Sequence, residues 1–186
     1  MSQFLTLAVQ EGRKRGISVR PIACGGRTEA FDKFRDAVQK EPQATNVLLV
    51  DSEDPIAITV SPWTHLKTRV EDKWDKPAGV DDASCQMMVA CMEAWFLADP
   101  EGLKRHYGGN FDSGKLPAAN QAETRTRADI NNALKKATTN TKAKEYQKIR
   151  DGAKLLEQVD PAVVRKHCNW CERLFQALGK AIGTTL

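Results

Sequence analysis

The stretch "NVLLVDSEDPIA", residues 46–57, decides how this chain is read. Val47, Leu48, Leu49 and Val50 form a β-branched and aliphatic run of strand length, and Asp51, Ser52, Glu53, Asp54 and Pro55 follow at once. A short greasy run without polar alternation predicts a fully buried strand, and Pro55 with the acids ends it. In an open α/β sheet, ligands collect at the carboxyl ends of the strands, where Asp51 would lie. Alternation along extended backbone predicts Asp51 and Glu53 on one side, with Ser52 and Asp54 on the other. Two hard carboxylates with room for waters and phosphates suit Mg²⁺ or Mn²⁺ better than zinc. The same acids also fit a polar loop that caps the next helix.

Upstream, residues 3–15 carry Phe4, Leu5 and Ala8 at helical spacing, and "ISVRPIA", residues 17–23, reads as an edge strand interrupted by Pro21. "CGGRTEAFDKFRDAVQ" turns through Gly25 and Gly26 into a helix with Phe31, Phe34 and Val38 on one side. Gly25, Gly26 and Arg27 could cradle a phosphate at that helix start, although a plain tight turn explains them as well. Residues 56–84 predict a strand-poor insertion with one short helix. "CQMMVAC", residues 85–91, predicts a second buried strand, followed by a helix through "MEAWFLADPEGLKRHYG" that breaks near Pro100. The alternation predicts an α/β domain with a mainly parallel sheet flanked by helices. Beyond a soft boundary near residue 110, the pattern turns wholly helical over residues 111–186, with Asp160-Pro161 as an N-cap and first helical residue.

Charge divides along the same line. Residues 1–99 hold 12 Lys or Arg against 15 Asp or Glu, whereas residues 100–186 hold 16 against 9. A basic lobe beside an acidic cluster points to a polyanion such as DNA or RNA, gripped by the C-terminal helices. A solvated Lys-rich helix face would show the same split. No apolar segment reaches the ~20 residues that cross a bilayer. The N-terminal stretch has its charges after the apolar residues, the reverse of a secretory signal, so a cytoplasmic location is expected. Five cysteines, an odd number, are read as reduced thiols, with the Cys168/Cys171 pair as core packing. The three histidines form no metal signature, and His65 near Trp63 is read as structural.

Taken together, "ACGGRTEAFDKF", "LLVDSEDP", "PWTHL" and "MMVACMEAWFLAD", with "LLEQVDPAVVRK" and "ERLFQAL" near the end, resemble an uncharacterised bacterial family with a Toprim-like fold. It is akin to the RloB group and to the nuclease domains of OLD-type proteins. The resemblance implies Mg²⁺ held by Asp51 and Glu53, with Glu93 of "MEAWFLAD" as a further catalytic acid. It also implies a nuclease, with a role in anti-phage defence beside an ATPase partner. Members of the family begin with a strand and a "VEG"-like glutamate, whereas this chain starts at what resembles the helix after them, and Glu11 does not fill that role. The alternative is therefore a catalytically inactive module of the same fold that binds nucleic acid or a partner protein.

Overall fold

The computed structural model describes residues 3–186; Met1 and Ser2, the first residues of the N-terminal stretch, lie outside the described residues. Its centre is a parallel strand pair, β1 (Leu48–Asp51) and β2 (Cys85–Met88), with Leu48 opposite Cys85 and Asp51 opposite Met88. Hydrogen bonds from Ser52 N to Met88 O (3.0 Å) and from Glu53 N to Ala90 O (2.8 Å) carry the pairing past the strand ends.

Side-chain alternation sends the two faces of this pair into different cores. Leu48, Val50, Cys85, Met87 and Val89 pack with Phe31 and Phe34 of α2 (Arg27–Lys40), Trp63 and Leu66 of α3 (Pro62–Thr68), and Trp74. Leu49, Met88 and Ala90 face the opposite layer, built on α4 (Glu93–Ala98) and the C-terminal helices. The arrangement is α/β, with helices on both faces of the strand pair. Phe4, just before α1 (Thr6–Lys14), seals the larger core by stacking on Trp95, with ring centroids 4.6 Å apart.

The helix through residues 92–108 breaks where its proline requires. Pro100 has no N–H to donate, so α4 ends at Ala98 and α5 (Pro100–Tyr107) starts anew. Asp99 caps α5 by accepting from Gly102 N at 3.0 Å and also accepts from Asp160 N at 2.8 Å, which ties this junction to the C-terminal region. After two short 3-10 turns, four α-helices follow among the described residues: α6 (Arg127–Thr138), α7 (Lys148–Gln158), α8 (Pro161–His167) and α9 (Asn169–Ala181). Asp160 caps α8 through Ala162 N at 2.8 Å, as its Asp-Pro pair predicts. The last helix returns to the sheet: Trp170 joins the core under β1 and β2, and Arg173 donates to the Cys85 carbonyl at 2.8 Å.

Two expectations are corrected. Residues 17–23 form no strand; Ile22 is 72% exposed and Ile17 39%, so the apolar side chains there have no core to enter. Pro21 also removes a ladder donor, and an edge segment without burial has nothing to hold it against a sheet. The wholly helical pattern expected over residues 111–186 is interrupted before α7, which starts only at Lys148. Residues 139–147 instead form turns that bury Tyr146, whose N–H donates to Thr138 Oγ1 at 2.8 Å.

Candidate functional site

Asp51 is the last residue of β1, and the pleat directs its carboxylate toward the layer that holds α4. Its Oδ1 accepts from Met92 N at 2.9 Å, so it also secures the backbone entering α4. Burial raises the Asp51 pKa; Lys148 opposes that shift, and the nearby Glu93 charge adds to it. Two carboxylates therefore bear on each other at the carboxyl ends of the strands.

Glu93, the first residue of α4, is 1% exposed. A buried carboxylate needs partners for both oxygens. Oε1 accepts from the Tyr146 hydroxyl at 2.9 Å, and Oε2 from Lys148 Nζ at 3.3 Å. The same ammonium lies 3.7 Å from Asp51 Oδ2 and 3.2 Å from Glu93 Oε1, so one positive charge is shared by two acids. Burial raises the Tyr146 pKa, and the Glu93 charge raises it further, so this phenol is a donor at any ordinary pH. Cys91 lies against the same pair, its thiol pushed up by burial and then by the charges of Glu93 and Asp51.

Glu53 has other partners. Its φ of 72° lies in the left-handed region, which is uncommon for a residue with a Cβ, and it ends the alternation that runs through β1. The side chain pairs with Arg127, at the start of α6, and lies 3.9 Å from Arg27 Nε. Arg27 also donates to the Asp51 carbonyl and to Asp72, and its guanidinium sits over Trp74 at 5.1 Å from the ring centroid. Asp54 turns away to Arg69, at 2.6 Å.

The structure thus brings Asp51 and Glu93 together and seats Glu53 between two arginines beside them. At Gly25 and Gly26 the helix start is engaged from within. Gly25 has φ +73°, and the Glu29 carboxylate closes on the turn, with Oε2 2.7 Å from where a Gly25 Cβ would stand. His65 Nε2–H donates to the Ser52 carbonyl at 2.8 Å and steadies the loop after β1. The five cysteines are free thiols, with Cys168 and Cys171 buried in the larger core.

Lys148, Tyr146 and Arg127 are absent from the sequence reading. Each lies in the helical region and reaches its acid only through the tertiary fold. The one local hint is composition: the chain has two tyrosines, and both bond to acids, Tyr146 to Glu93 and Tyr107 to Asp151 at 3.1 Å.

Among the described residues, no three His, Cys, Asp or Glu side chains converge to hold a metal by themselves. The donor set nevertheless fits a hard divalent ion that keeps waters or substrate oxygens as its remaining ligands. Asp51 and Glu93 offer carboxylate oxygens around a position where the Lys148 ammonium stands as a cation, on a side chain 49% exposed.

A family model described as a domain of unknown function, DUF4276, matches residues 4–179. The chain belongs to this family. The match spans every side chain of this candidate site, from Arg27 to Lys148. No curated protein and no solved structure matches the sequence. No helix among the described residues is long and apolar enough to cross a membrane.

Proposed function

We propose that this DUF4276 chain is a Mg²⁺- or Mn²⁺-dependent phosphodiesterase acting on nucleic acid, of Toprim-like type and related to the RloB and OLD-type nucleases. The observation that carries the reading is the convergence of Asp51 and Glu93 on one cation position at the carboxyl end of a parallel strand pair. Arg27, Arg127 and Lys148 surround the acids, so a phosphate approaching the site meets positive charge as well as carboxylate. A bound divalent ion supplies charge neutralisation at phosphate and stabilises the displaced oxygen. Asp51 and Glu93 would hold that ion, Tyr146 keeps Glu93 oriented, and Glu53 keeps the two guanidiniums in place. The basic helices α6 and α7 extend the attraction along the nucleic acid backbone. Service in phage defence beside an ATPase, in the cytoplasm, belongs to the same proposal.

A second reading has its own observation: Asp51, Glu53 and Glu93 are each already countered by a basic side chain within the chain. A binding module without catalysis would look the same. Cleavage assays on supercoiled DNA, single-stranded DNA and transfer RNA, with Mg²⁺, Mn²⁺ or chelator, separate the two. Metal-dependent cutting that is lost in Asp51→Ala establishes the enzyme. Binding that persists in chelator and weakens steeply with salt, without cutting, establishes the module.

A further inference from the structure

The Lys148 ammonium occupies the position between Asp51 and Glu93 that a divalent cation would need. Its nitrogen lies 3.2 Å and 3.3 Å from the two oxygens of Glu93 and 3.7 Å from Asp51 Oδ2. Glu93 is buried and cannot obtain its counter-charge from water, so while no metal is bound an internal cation must stay there. Lys148 suits that task because it is the first residue of α7 and its side chain is 49% exposed. Its flexible stem can move the charge outward without moving a helix. Tyr146 is different: it is buried, and its hydroxyl can remain on Glu93 Oε1 whichever cation is present.

We infer that Lys148 is a displaceable internal counter-ion, so that its ammonium and a divalent metal compete for Asp51 and Glu93. This rests on the metal-dependent reading above, and it adds that the wild-type chain holds its own metal affinity down. Two like charges cannot share the pocket at ion-pair distance, and the ammonium must leave before the metal enters. The exchange makes metal binding a switch, because it frees a positive side chain at the mouth of the site when the metal arrives.

The test is Mn²⁺ binding, followed calorimetrically and by thermal unfolding, in the wild type, Lys148→Met and Asp51→Asn. Removal of the competing charge is expected to tighten Mn²⁺ binding by about tenfold or more in Lys148→Met. The same variant should melt below the wild type in chelator and regain more stability than the wild type when Mn²⁺ is added. Asp51→Asn should lose the binding. If Lys148→Met folds poorly, ammonium-detected NMR of the wild-type lysines gives the same information, since the Lys148 signal must shift as Mg²⁺ is added. Unchanged or weaker Mn²⁺ binding in Lys148→Met, or an unmoved ammonium signal while the metal binds, overturns the exchange and leaves the metal site standing. No Mn²⁺ binding by any of the proteins overturns both the exchange and the metal-dependent reading.

Discussion

Tyr146 and Glu93, 53 residues apart in the chain, are joined by a hydrogen bond of 2.9 Å from the phenol to a carboxylate that solvent hardly reaches. Tyr146→Phe keeps the ring, which packs edge-on against Phe96 at 6.5 Å, but removes the donor. The variant is expected to lose about 1–3 kcal/mol of stability, because a buried carboxylate oxygen is left short of a partner. Urea unfolding measures this loss. Combining Tyr146→Phe with Glu93→Gln should recover part of it, and strict additivity of the two losses would show that the residues do not act on each other.

Arg127 is paired with Glu53 on a side chain 38% exposed, so its contribution to stability is small. Its expected contribution is to nucleic acid affinity. Arg127→Ala should weaken binding and lower the slope of log affinity against log salt by about one, leaving the unfolding midpoint nearly unchanged. An unchanged slope would remove Arg127 from the phosphate contacts.

Glu123 accepts from Trp170 N at 3.0 Å at the start of α9, yet burial lifts its pKa to about 7, against the backbone N–H groups that favour the charge. The folded state therefore holds this proton more tightly than the unfolded state, whose reference value is 4.5. The resulting stabilisation is complete below the unfolded value and is lost as pH rises through the folded one. The stability of the wild type relative to Glu123→Gln should fall by up to roughly 3 kcal/mol across that window. Denaturation at pH 5 and pH 8 checks the sign, and a wild type that gains stability relative to Glu123→Gln between those two values would contradict it.

Cys24 is the partly exposed thiol, and the other four are buried. Burial pushes the Cys85 thiol up to about 12 and shifts Cys91, Cys168 and Cys171 upward as well. Thiolates are the reactive species, so one fast equivalent of a thiol reagent is expected in the native protein and five after unfolding. The Cys24→Ser variant should show no fast phase.

Elements whose formation depends on local chemistry were legible in the sequence. The strands at the apolar stretches 47–50 and 85–91, the second ending three residues early at Met88, the helix after Gly26, the interruption at Pro100 and the Asp160-Pro161 helix start all follow from side-chain type and spacing. The strand read at residues 17–23 failed because β-propensity becomes structure only where a partner and a core accept it. The late start of α7 was hidden for a related reason: Thr138 and Glu93 each take a bond from Tyr146, and neither is its neighbour in sequence.

The candidate site divides in the same way. Sequence alone determined that acids stand at the end of a buried strand and that Glu93 opens the helix after its partner strand, because apolar runs and their polar stops are local features. Tertiary structure decided which acids work together. A left-handed backbone at Glu53 directs it to Arg27 and Arg127, and the packing of α7 against α4 and α5 brings Lys148, with Tyr146 just before it, to Glu93 and Asp51. Charges interact according to distance in space, and a separation of 53 or 55 residues along the chain carries no trace of a contact near 3 Å.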